Sequence, residues 1–171
     1  RRLDYTAREA LRTRAFWFMA LGHGTALVII GAVMVHLILH LNGRLGYSLT
    51  TAGLVISLLT GTQIIGQISA GFLGDRFDKR LIVCGCMGFH AAAMILLAYA
   101  QSLWMIVGFA VLHGIAWGTR GPLMQAMRAD YFGASNFGAI MGWSSLVVMM
   151  GMALGPLYAG YMADRTGSYV S

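Results

Sequence analysis

Charge is scarce in this chain. Asp, Glu, Lys and Arg make up 11% of its 171 residues, where soluble domains carry about 25%. Proline occurs twice and cysteine twice, while 58% of the residues are hydrophobic. The shortage of charge argues against a water-soluble domain, because four stretches far longer than the ~18 apolar residues of a membrane-helix candidate hold no Asp, Glu, Lys or Arg. The chain therefore reads as an integral membrane protein. Cys84 and Cys86 stand two apart inside one apolar stretch, where helix geometry does not allow a disulfide, and they read as small core or lipid-facing residues. The sequence shows no signal-peptide pattern and begins with Arg, so it is expected to be a piece of a longer chain.

The apolar runs predict five membrane spans, at about 15 to 41, 49 to 74, 80 to 99, 103 to 128 and 136 to 162, each near the ~20 residues needed to cross ~30 Å of hydrocarbon. Short connections make neighbouring spans antiparallel. Arg1, Arg2, Arg8, Arg12, Arg14, Arg76, Lys79, Arg80 and Arg128 fall at one side, and Arg44 and Arg165 at the other. That bias places residues 1–14 in the cytoplasm and the C-terminus outside. The net charge of +6 thus needs no nucleic-acid partner. Thr6 and Glu9 have the spacing of a capping box that opens the first helix.

Two segments resemble each other. GQISAGFLGDR at 66–76 and GPLYAGYMADR at 155–165 share five positions, each 89 residues apart. ALGHG at 20–24 and AVLHG at 110–114 agree at nearly the same offset. One such period holds three spans, an odd number, so the second copy enters the membrane from the opposite face. This is an inverted-topology repeat, an arrangement on which secondary transporters are built. Residues 15–99 form the first three-helix unit, and 100–171 the second without its third helix.

GFLGDRFDKR at 71–80 resembles the signature of the major facilitator superfamily, which follows the second and, more weakly, the eighth of twelve helices; Asp78 stands where the family usually has Gly. TAREALRTRAFWF at 6–18 and the run from RADYFG to FGAIMG at 128–142 resemble the branch holding monocarboxylate and oxalate:formate transporters. The resemblance implies an all-α membrane protein whose five transmembrane helices are helices seven to eleven of the twelve-helix fold. It also implies a missing N-terminal six-helix half of the same chain as partner. The implied gating motif is Gly71, Asp75, Arg76 and Arg80, with the signature Asp near a helix N-terminus. A multi-pass protein of the cell membrane follows, moving a small, possibly anionic, solute by alternating access.

Candidate substrate residues come from intramembrane polarity, which is costly and usually faces a cavity. Arg120 is the one charge within a span, in Gly118-Thr119-Arg120-Gly121-Pro122, where two glycines and a proline are expected to loosen the helix. Gln63 and Gln67 lie four apart on one helical face, and Trp117 is a candidate cavity wall one turn from Arg120. Members of the resembling branch often carry Arg at the position held here by Gln67. His23 and His113 occupy matched repeat positions and are candidate proton carriers. All six carboxylates, Asp4, Glu9, Asp75, Asp78, Asp130 and Asp164, are expected at span ends or outside. No catalytic residues, metal or cofactor are assigned. The competing readings are a membrane metal or haem protein using the His36 and His40 pair, and a truncated, non-transporting fragment.

Overall fold

In the computed structural model, which describes residues 4–167, the chain is a bundle of helices: α1 (Ala7–Leu11), α2 (Arg14–Leu39), α3 (Leu49–Arg76), α4 (Lys79–Ala98), α5 (Leu103–Phe132) and α6 (Phe137–Thr166). Residues 1–3, with Arg1 and Arg2 of the predicted cytoplasmic segment, and residues 168–171 lie outside the described residues. Five of the helices are long and apolar enough to cross a membrane, and they coincide with the five predicted spans. At ~1.5 Å per residue, the 30 residues of α5 reach ~45 Å, so its ends project beyond the hydrocarbon.

Local chemistry sets the boundaries. Thr6 and Glu9 do form a capping box, but it opens the separate short helix α1; Thr13 then caps α2, its hydroxyl accepting from the Phe16 amide. The two hydrogen bonds from Thr6 hold the exposed Glu9 carboxyl below the ordinary glutamate range. Beyond α2, a wide five-residue turn (His40–Arg44) continues the helix, and Gly46 closes the connection at φ 73°.

Packing follows two pairs. Helix α5 lies between α3 and α4, while α2 lies against α6. Both pairings involve close backbone approach. A Cβ added at Gly118 of α5 would collide with the Gln63 carbonyl on α3, and one at Gly114 would strike the Thr62 hydroxyl. On the other side, Gly151 and Gly155 of α6 press on the carbonyls of Gly24 and Val28 in α2. In lipid the apolar surface of a helix gains little from leaving the solvent, so small residues and interhelical hydrogen bonds supply the attraction. The hydroxyl of Thr62 donates to Ala110 O at 3.2 Å, and that of Thr119 to Gly66 O at 3.3 Å. Between α2 and α6, the His36 Nε2–H donates to the Pro156 carbonyl at 2.9 Å.

The main apolar cluster joins Val33, Leu37, Val55, Leu59, Leu97 and Phe109 from α2 to α5. Outward faces are also apolar: Ile68 is 76% and Leu81 73% exposed, as expected of helices solvated by lipid or by another part of a membrane protein. Gly118→Ala should cost ~1–3 kcal/mol through overpacking, seen as a lower unfolding midpoint in detergent. Gly53→Ala, where an added Cβ meets nothing within 4 Å, should leave the midpoint unchanged or raise it; equal effects at the two sites would overturn the close-packing account.

Candidate functional site

The signature segment is a two-residue turn. Helix α3 ends at Arg76 and α4 starts at Lys79, with Phe77 extended and Asp78 capping α4, its Oδ1 accepting from the Arg80 amide at 2.8 Å. Asp78 therefore holds the turn by capping α4. In the signature segment the carboxylate at a helix N-terminus is Asp78, and Asp75 lies in the last turn of α3. Arg76 packs its guanidinium 3.9 Å from the centre of the Phe72 ring. Asp75, Arg76 and Arg80 are all exposed, and Gly71 is exposed one turn before Asp75. The ion pair at this end is Lys79 Nζ to Asp130 Oδ2, 2.7 Å, tying α4 to the end of α5; sequence reasoning missed it because the partners are 51 residues apart. A cavity of about 640 Å³ opens beside it, lined by Phe18, Met19, Phe77, Lys79, Arg80 and Met127 among others.

The leading segment is folded against the same end. The Tyr5 amide donates to Phe132 O at 2.9 Å, the Asn136 amide group donates to Tyr5 O at 3.1 Å, and Tyr5 meets Phe132 edge to face. The segment before α1 and the α5–α6 turn are thus joined.

Deeper in the bundle, Arg120 is 1% exposed. It does not sit in a broken helix: α5 runs unbroken through Pro122, because a proline removes a single amide donor, and packing against α3 and α4 maintains the rest. Among the described residues, none of the three guanidinium nitrogens of Arg120 has a hydrogen-bond partner. His113 lies about two helical turns before Arg120 on α5. His113 is fully enclosed, with Nδ1 3.2 Å from Nδ1 of His90.

Arg128, expected at the cytoplasmic surface, is instead 2% exposed, because α5 continues one turn beyond it to Phe132. Its guanidinium donates to Met124 O at 3.3 Å, to Met19 O at 3.5 Å and to His23 Nδ1 at 3.3 Å. His23 and His113 are thus both engaged, each with a residue on a neighbouring helix. All six carboxylates are exposed. The two enclosed guanidiniums therefore have no buried counter-charge among the described residues.

The remaining candidates are dispersed. Gln63 is half-buried and Gln67 exposed on α3, so the two amides are not enclosed with Arg120. Trp117 packs between two apolar clusters, one spanning α2 to α5 and the other between α2 and α6. Cys86 is buried and Cys84 exposed, both as free thiols. Among the described residues no three His, Cys, Asp or Glu side chains gather at metal-ligand spacing.

The sequence profile of the Major Facilitator Superfamily matches residues 16–171. The chain belongs to that superfamily. Relatives include a triacylglyceride transporter of Mycobacteroides abscessus, 30% identical over 161 residues, which covers 90% of this chain and 31% of the relative. Monocarboxylate transporter 13 of Rattus norvegicus is 26% identical over 140 residues, 80% of this chain and 32% of its own. The multidrug resistance protein MdtH of Aeromonas hydrophila is 28% identical over 164 residues, 95% and 41%. The chain thus spans between 31% and 41% of the length of these relatives. With five apolar helices and this family, it is a multi-pass membrane protein of a transporter family.

Because Asp78 caps α4, Asp78→Ala should destabilise the α3–α4 turn by ~1 kcal/mol, whereas Asp78→Gly should lose only a few tenths. Hydrogen-exchange protection at the first amides of α4 checks the order; Gly proving as costly as Ala would show that the cap bond is not what holds the turn.

Proposed function

We propose that this chain is part of a secondary active transporter that moves a small organic solute, a carboxylate being the favoured class, by alternating access. The observation that supports the reading best is an exchange of packing partners. Shifting by 89 or 90 residues carries α2 onto α5 and α3 onto α6. It turns the contact of Gly151 with Gly24 into that of Thr62 with Gly114, and the contact of Gly155 with Val28 into that of Gly66 with the stretch of α5 around Gly118. Two units with opposite membrane orientation give that relation, with residues 15–99 as the first and 100–171 as the second. Rocking of such units around a central site is the mechanical basis of alternating access.

In this reading residues 1–14 face the cytoplasm, along with the turn holding Gly71, Asp75, Arg76 and Arg80. The exposed Asp75 and the two arginines are then placed to engage the other half of the transporter in its outward-facing state. A few tenths to one kcal/mol from such contacts is enough to bias a two-state equilibrium without freezing it. Arg120 supplies positive potential for an anionic solute, Gln63 and Gln67 offer amide contacts from α3, and Trp117 shapes the interior behind them. His23 and His113 are the proton-carrying candidates, since no carboxylate is buried in the span region.

In the complete transporter, Arg120→Ala should reduce uptake of small carboxylates by at least about tenfold, a loss of ~1.4 kcal/mol in transition-state or binding free energy, while leaving membrane insertion intact. Uptake into vesicles from a panel of carboxylates and sugars, with and without a pH gradient, provides the measurement. Unchanged uptake by the variant would remove Arg120 from the site, and no uptake of any solute by the wild type would sink the transporter reading.

A further inference from the structure

A guanidinium ties helix α2 to helix α5. Arg128 is 2% exposed, and its nitrogens are divided between the two helices: Nη1 donates to Met124 O on α5, while Nη2 donates to Met19 O at 3.5 Å and to His23 Nδ1 at 3.3 Å on α2. Met19 and His23 are four residues apart, so Nη2, which carries two hydrogens, spans a single turn of α2 with one hydrogen to each acceptor.

The chemistry of the pair has a direction. A guanidinium is permanently charged and has donors only, so the contact with His23 exists only if Nδ1 accepts. A protonated imidazole carries hydrogen on both nitrogens and has no lone pair to offer. The neutral tautomer with hydrogen on Nδ1 turns an N–H toward an N–H. What is left is the neutral ring with hydrogen on Nε2, because the bond made by one ring nitrogen decides what the other carries. No carboxylate competes for the ring, since all six are exposed.

The far edge of the ring sets His23 apart from the other interior histidines of α4 and α5. The Nε2 atoms of His90 and His113 are enclosed, whereas His23 is only half-buried and its Nε2–H opens on the surroundings of the bundle. His23 nevertheless lies within a membrane span, where an open donor is costly unless it meets an acceptor in protein, water or a solute path. His23 belongs to the proposed first three-helix unit and Arg128 to the second, and transporter sites lie at the junction of such units.

We infer that Arg128 is a positioning residue that locks His23 as a neutral Nε2–H donor, and that this donor binds an oxygen acceptor on the solute. The acceptor needs no negative charge, so carbonyl and hydroxyl oxygens qualify along with carboxylate. The inference rests on the transporter reading for the solute. It deepens that reading by giving His23 a binding role, and it leaves His113 as the proton-carrying candidate.

Nitrogen-15 NMR of the complete transporter in lipid bilayers, labelled at histidine, reads the tautomer; the His23 signals are assigned by their loss in His23→Gln. We expect Nδ1 to show the shift of a nitrogen with a lone pair and Nε2 that of one with hydrogen, and in Arg128→Met a mixture of tautomers. The wild-type spectrum decides the tautomer without relying on any variant folding. Hydrogen on Nδ1 in the wild type, or a pattern unchanged in Arg128→Met, would overturn the positioning role.

Uptake kinetics with formate, lactate and glucose as probes separate a donor from a proton carrier. For the probe taken up, His23→Leu should raise KM about tenfold, as expected for one lost hydrogen bond. His23→Gln, whose amide N–H takes the place of Nε2–H but does not titrate, should bring KM back to within about threefold of the wild type. Arg128→Met should raise KM with kcat little changed. Gln as damaging as Leu, with the response to a pH gradient lost, would overturn the donor role in favour of proton carriage; KM unchanged in both His23 variants would overturn it in favour of a structural tie. The stated tautomer without uptake of any solute would remove the transporter reading and leave the positioning of His23 by Arg128 standing, whereas uptake with the opposite tautomer would do the reverse.

Discussion

The rest of the structure depends on the approach of helix backbones to one another at glycine. At Gly118 against α3, and at Gly151 and Gly155 against α2, backbone faces backbone directly, and at Gly114 the Leu59 carbonyl and the Thr62 hydroxyl of α3 close on the glycine. In a lipid environment this is where stabilisation is concentrated, since dispersion contacts and short polar ties act without help from water exclusion. Once those two pairs are closed, the positions of the other side chains on α5 are set. One face of the helix must meet α3 through its glycines, and the adjoining face, with His113 and Arg120, is turned into the bundle beside α4.

That constraint explains how a permanent charge comes to be enclosed. An arginine at the end of an apolar helix ordinarily extends its head toward water, but Arg120 lies mid-helix on the face that the packing has committed to the interior. Arg128, nearer the end, is enclosed too, yet it finds carbonyls of Met19 and Met124 and the imidazole of His23. The contrast separates an arginine whose terminal nitrogens are engaged from one whose donors are unspent. Polar groups retained in that condition inside membrane helices usually mark function.

The cytoplasmic end in the proposed orientation is built on a different principle, with exposed charges and short local bonds. Asp78 caps α4, Lys79 pairs with Asp130, and the leading segment is stitched to the α5–α6 turn through Tyr5, Phe132 and Asn136. Exposed ion pairs contribute little to stability, about 0–1 kcal/mol each. Such a surface can exchange partners at little cost, which is what the proposed alternating access asks of it.

The five spans, the signature and the chemical character of Arg120 were legible in the sequence, because apolar run length and the rarity of intramembrane charge are one-dimensional properties. The 89-residue recurrence was legible for the same reason. What the sequence could not decide was which helix faces meet. The unbroken course of α5 through Pro122, the burial of Arg128, the pairing of His90 with His113 and the bridge from Lys79 to Asp130 all join residues distant along the chain or depend on their packing. They follow from which glycines allow two backbones to touch, a three-dimensional fact that fixes the rotation of each helix and hence which polar side chains share an interior.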